Sequence, residues 1–156
     1  MSDTADFLRQ LQFTPGQNYG KAHCEPGWNW SPRTLIDYDL WYAASGKGTM
    51  EISGRSYSIS RGTCFLIRKG EQPRATQDPD DRLVVIFIHF DIQWLNFIGA
   101  DPSHVQYPPT YTIVEDPYYL EQLLNRILEA LELNDPWKDV EFDSLMRQIW
   151  IMLYRA

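Results

Sequence analysis

Residues 38–91 read YDLWYAASGKGTMEISGRSYSISRGTCFLIRKGEQPRATQDPDDRLVVIFIHFD, a succession of short strand-patterned segments, each closed by a glycine turn. Leu40, Trp41 and Tyr42 lead to Ser45-Gly46-Lys47-Gly48, and Met50 and Ile52 then alternate with polar neighbours up to Ser53-Gly54. Tyr57 and Ile59 repeat the period of two up to Arg61-Gly62, and Phe65 to Ile67 run to Lys69-Gly70. An apolar strand follows from Leu83 to Phe90. Five or more strands at this spacing, with glycine wherever a positive φ is needed, predict an antiparallel sandwich or small barrel. Such a barrel, open to loops at its ends, is a container for a small molecule.

The flanks change character. Residues 1–20 read as an N-terminal arm, with Phe7, Leu8, Leu11 and Phe13 on one side of a short amphipathic helix that Pro15-Gly16 ends. Residues 21–114 hold the barrel, entered through the turn-rich Pro26-Gly27-Trp28-Asn29-Trp30-Ser31-Pro32-Arg33, with one helical turn at 93–98 and a further strand at 111–114. Residues 115–156 are helical. Asp116 caps a helix whose first residue is Pro117, and Leu120, Leu123, Leu124, Ile127, Leu128 and Leu131 share one face. A second helix begins near Asp139, with Phe142, Leu145, Met146, Ile149 and Leu153 on one side. Its end, Ile149 to Tyr154, is apolar all the way round, which predicts a second surface to cover it.

Composition excludes several classes. The 156 residues suffice for one domain with a sizeable core. A net charge of −7 and a pI of 4.8 repel phosphate backbones, so these residues do not read as a nucleic-acid-binding surface. No apolar run approaches the roughly 18 residues of a membrane span, and the start lacks a signal-peptide core. Cys24 and Cys64 have no metal or redox spacing and read as reduced thiols of a cytoplasmic protein, one of which could face the pocket. His23, His89 and His104 stand far apart, so the clustered histidines of a metal site are missing and no metal or other cofactor is expected. There is no G-x-S-x-G elbow, and neither cysteine has an obvious histidine partner, so no enzyme is expected either.

The order of motifs is itself specific. Arg33, Asp37-Tyr38-Asp39-Leu40, Ser45-Gly46-Lys47-Gly48, Gly54, Tyr57, Arg61-Gly62, Leu66-Ile67, Gly70 and Ile88-His89-Phe90, with helices behind them, resemble the N-terminal effector-binding domain of AraC-type bacterial transcription regulators. That resemblance implies a mostly β fold, a cupin or jelly-roll barrel followed by two C-terminal helices. It also implies a small effector in a metal-free barrel, a sugar or related metabolite, and a homodimer. DNA would be contacted only through a helix-turn-helix domain that these residues do not contain. The family's pocket positions correspond to Val85 and Phe87, which share a face with His89; Val and Phe there argue against arabinose itself.

The remaining ligand candidates are Arg33, Trp28, Trp30, Tyr42 and Arg74. Arg33 offers five donors to hydroxyls or a carboxylate, or else ties the barrel mouth together; Arg74 either joins it or is solvated; Trp28 and Trp30 can stack on sugar faces. For the dimer contact the candidates are Leu145, Ile149, Trp150, Met152 and Leu153, with Trp150 and Leu153 nearest the partner. Two rival readings remain: a metal-independent cupin isomerase or lyase, and a stand-alone sugar-binding module.

Overall fold

The computed structural model describes residues 2–95 and 106–156. The chain runs α1 (Ser2–Arg9), β1 (Leu11–His23), β2 (Asn29–Trp30), β3 (Tyr38–Ser45), β4 (Gly48–Ile52), β5 (Arg55–Ile59) and β6 (Thr63–Ile67). It continues through β7 (Arg74–Gln77), β8 (Val84–Trp94), β9 (Tyr111–Ile113), α2 (Pro117–Leu133) and α3 (Lys138–Arg155). Two antiparallel sheets face each other, ordered β1-β8-β3-β6-β9 and β2-β7-β4-β5, the jelly-roll arrangement of a cupin with two helices after it.

The glycine turns close the hairpins as their spacing requires. Gly46 has φ +89°, and a Cβ there would stand 2.2 Å from the Arg82 carbonyl oxygen, so both its conformation and its close approach exclude a side chain. At the helical end the predicted cap forms: the Asp116 carboxylate accepts from the Tyr119 amide at 3.1 Å, with Pro117 in the first turn. Asn134 ends α2 in the left-handed conformation, its amide bonding to the Ala130 carbonyl.

The five-stranded sheet divides the interior into two cores. Leu40, Tyr42, Leu66, Ile86, Ile88 and Phe90 point toward the helices and pack with Leu124, Ile127, Phe142 and Ile149. Trp41, Ala43, Phe65, Ile67 and Val85 point into the barrel with Met50, Ile52 and Ile59. Period-two alternation along β3 and β8 sends neighbouring residues into different cores.

Three expectations are corrected here. The N-terminal helix stops at Arg9, and Leu11 and Phe13 instead open a long strand paired with β8, from Leu11↔Trp94 to His23↔Val84. This strand lies partly within the segment read as an arm, because its apolar residues fit a two-residue period as well as a helical one. Gln93 and Trp94 are strand rather than a helical turn, and the remainder of the turn read at 93–98, beyond Leu95, lies outside the described residues, as does His104.

The third correction concerns the helical end. Trp150 and Leu153, expected at a subunit boundary, are buried in the chain's own core, as are Leu145 and Ile149; Met152 is half-buried. Trp150 packs on Phe13 with centroids 4.8 Å apart and on Phe90 and Tyr107 at 6.2 Å each. The N-terminal segment supplies the second covering surface. Arg147 holds it in place, donating to the Leu8 and Leu11 carbonyls and to Asp143, whose other oxygen accepts from the Phe13 amide at 2.8 Å.

Candidate functional site

A cavity of about 200 Å³ opens in the barrel, lined by Asn18, Ala22, Cys24, Trp28, Trp30, Asp39, Trp41, Val85, Phe87 and His89. Strand register explains the convergence. On β3 and β8 the cross-strand partners are Asp39↔His89, Trp41↔Phe87 and Ala43↔Val85, all turned into the barrel. On the other side of β8, β1 places Gly20 opposite Phe87 and Ala22 opposite Val85. Gly20 leaves room for the ring; a Cβ there would come 3.2 Å from the Phe87 Cζ. Asn18 sits where the β1–β8 register slips between Pro15 and Tyr19, an irregularity that turns its side chain toward the cavity.

Aromatic rings form most of the wall. Trp30 stacks on Trp41 at a centroid distance of 5.9 Å and an interplanar angle of 16°, and Trp41 meets Phe65 edge-on at 5.7 Å. Polar groups concentrate at one end. His89 Nδ1 lies 2.7 Å from Asp37 Oδ1, and its Nε2 lies 3.3 Å from Asp39 Oδ2. Asp39 is completely buried, and among the described residues neither carboxylate oxygen has a well-formed hydrogen bond, the His89 contact at 3.3 Å included. Burial pushes its pKa up from 3.8 to about 7; His89 opposes that rise and the Asp37 charge adds to it. Burial likewise raises the Cys24 thiol above its ordinary range.

Five of the eight sequence-predicted ligand residues meet in this cavity: Trp28, Trp30, Val85, Phe87 and His89. Three do not. Arg33 is exposed on the loop before β3, and Arg74 is exposed on β7. Tyr42 is fully buried but points to the helices, where its hydroxyl donates to Glu121 Oε2 at 2.6 Å. Glu121 also accepts from Arg61, so Tyr42 belongs to the joint between barrel and α2. Its neighbours Asp39, Trp41 and Ala43 have the opposite parity, and that alternation was the available signal for Asp39 and Trp41. Asn18 carried none, because its direction follows from the slip in register.

The chemistry of this set is specific. Trp, Phe and Val offer apolar and π surfaces, while Asp39, His89 and Asn18 offer acceptors and exchangeable donors. No Lys or Arg lines the cavity, so an anionic ligand would meet no fixed positive partner. The donors also fit a metal ion poorly: His89 directs its two nitrogens at two different carboxylates rather than with them at one point. Among the described residues no three His, Cys, Asp or Glu side chains are grouped to hold an ion.

The family described as AraC-like ligand binding domain matches residues 15–149. A comparison with curated proteins finds no match. Among solved structures the chain is similar to a predicted oxalate decarboxylase from Thermotoga maritima (12% identity, 51% of this chain and 78% of that one, TM-score 0.42). It is also similar to KdgF from a Halomonas species (17% identity, 52% and 79%, TM-score 0.41). A third is a Rhizobium leguminosarum protein of unknown function (15% identity, 58% and 93%, TM-score 0.42).

Proposed function

The chain belongs to the AraC-like ligand-binding domain family, and from that premise we propose that it is the effector-sensing part of a cytoplasmic bacterial transcription regulator. The effector is a small molecule of the size and polarity of a sugar, held in the barrel between Trp28, Trp30, Trp41 and Phe87 with its polar groups at Asp39, His89 and Asn18. The observation that carries this reading is the cavity itself, a container with a buried polar end and a stacking wall. DNA contact would belong to a helix-turn-helix domain outside these 156 residues, and the effector would act by favouring one arrangement of the two parts.

A carbohydrate and metabolite screen by thermal shift tests the reading. A true effector raises the melting temperature of the wild type, because it binds only the folded state. Filling the cavity with Val85→Trp abolishes the rise, whereas Arg33→Ala keeps it. A rise that survives Val85→Trp would place the effector elsewhere.

Self-association is part of the same proposal. The surface available for it on α3 is the exposed stripe Val140, Ser144, Gln148 and Ile151. Ile151→Asp should turn a light-scattering dimer into a folded monomer; a monomeric wild type at tens of micromolar would end the dimer proposal.

One observation favours a second reading. Asp39, with a pKa near 7 and His89 beside it, is placed to move a proton on a bound substrate, as a metal-independent isomerase or lyase requires. Turnover of a ligand that the screen finds, lost in Asp39→Asn, would favour the enzyme over the sensor.

A further inference from the structure

The Asp39 carboxylate is the group whose burial asks for a partner. It is completely enclosed, it lines the cavity, and among the described residues its nearest side-chain donor is His89 Nε2, 3.3 Å from Oδ2, which makes no well-formed hydrogen bond with it. Ionising a buried carboxylate with so little compensation is costly, and a donor placed against it from the cavity lowers that cost. The titratable groups facing Asp39 are Asp37 ahead of β3, His89 on β8 and the buried Cys64 thiol on β6. With His89 protonated, Asp37 and Asp39 together still outnumber it by one negative charge.

The walls point the same way. The rings of Trp28, Trp30, Trp41 and Phe87 line the cavity, Trp30 and Trp41 stacked on each other, and among the described residues no Lys or Arg side chain lines it. A ligand hydroxyl could satisfy one oxygen of Asp39 yet would leave its charge uncompensated. An ammonium group supplies several donors and the missing positive charge together. The volume limits the rest of the ligand, since about 150 Å³ already holds a benzene ring.

We propose that the cavity selects a small organic ammonium ion, with its N–H groups on Asp39 and its carbon skeleton between Trp28, Trp30, Trp41 and Phe87. Such a ligand has one ring or a short chain, on the order of six to twelve heavy atoms. This rests on the reading of the cavity as the effector site, and it names the feature by which that site discriminates.

Isothermal titration calorimetry with two matched pairs tests it: benzylamine against benzyl alcohol, and glucosamine against glucose. In at least one pair the amine binds tenfold or more tightly than the alcohol at about pH 8, and Val85→Trp abolishes the binding. Asp39→Asn erases the preference, and Asp39→Ala serves the same purpose should the first variant fail to fold. Because the ammonium needs Asp39 ionised, amine affinity falls about tenfold per pH unit below about pH 7, while alcohol affinity does not. An alcohol that binds in the cavity as tightly as its amine overturns the ammonium proposal and leaves the effector site standing. Silence from all four probes overturns the ammonium proposal, and a further screen that finds no ligand sensitive to Val85→Trp overturns the effector site as well.

Discussion

The two faces of one sheet have been built to opposite rules. Toward the helices, β1, β3, β6 and β8 present Leu11, Phe13, Leu40, Tyr42, Leu66, Ile86, Ile88 and Phe90, and α2 and α3 close over them with Leu, Ile, Phe and Trp side chains. The fully buried Tyr42 there has its hydroxyl bonded to Glu121. Toward the barrel the same strands present Asp39, Trp41, Val85, Phe87 and His89, leave about 200 Å³ open and bury a carboxylate with only His89 beside it at 3.3 Å. The helical core and the lining of the cavity therefore occupy alternate residues of the same strands, and only the barrel side keeps an open space.

The sharpest way to break this comparison is to remove one tryptophan from each side. Trp150→Ala empties a fully enclosed site and should cost about 3–5 kcal/mol. Trp30→Ala, at a half-buried wall that already borders open space, should cost about 1–2 kcal/mol and weaken ligand binding instead. Urea unfolding of both variants measures the difference; equal losses would mean that the barrel side is packed as tightly as the helical side.

A middle-sized effect sharpens it. Asp39 ionises near 3.8 in the unfolded chain but holds its proton up to about 7 when folded. Between those values the folded state binds more protons, so stability falls as pH rises across the window; the penalty is absent below about 4 and complete above about 7. Without ligand, Asp39→Asn should therefore be more stable than wild type above pH 7 by on the order of 1–3 kcal/mol, seen as a melting temperature raised by several degrees. Below about pH 4 the advantage should vanish. A variant less stable than wild type at every pH would mean that Asp39 holds the fold together.

The smallest effect is expected at the two arginines outside the cavity. Arg33→Ala and Arg74→Ala should each change stability by no more than about 0.5 kcal/mol and leave ligand-induced thermal shifts as they were. A lost shift in either would bring that side chain to the site in the bound state.

Much of the barrel was legible because its signals are local. Gly46, Gly54, Gly62 and Gly70 all have positive φ, and alternation fixed which of Val85, Phe87 and His89 share a face. Asp116 and Pro117 announced α2 for the same reason. What escaped depended on partners distant in the chain. Trp150 read as exposed because nothing in α3 shows that Phe13, some 140 positions earlier, lies against it. Arg33, read as a ligand contact or a tie at the barrel mouth, lies exposed on the loop before β3, a placement its motif position does not give. Asp39 lay inside the quoted motif, but its significance depends on burial, and burial is the outcome of the whole fold.

β1 belongs to both sides of the comparison. Its first residues, Leu11 and Phe13, are clamped to α3 through Arg147 and Asp143, and its last third borders the cavity through Ala22. Between them the ladder with β8 slips at Pro15 to Tyr19, the stretch that carries Asn18. The strand is thus a rod with a single joint, and Asn18 stands in the joint. The Arg147–Asp143 clamp on α3 and the Ala22 wall of the cavity are therefore two ends of one strand, joined through the irregular stretch that carries Asn18.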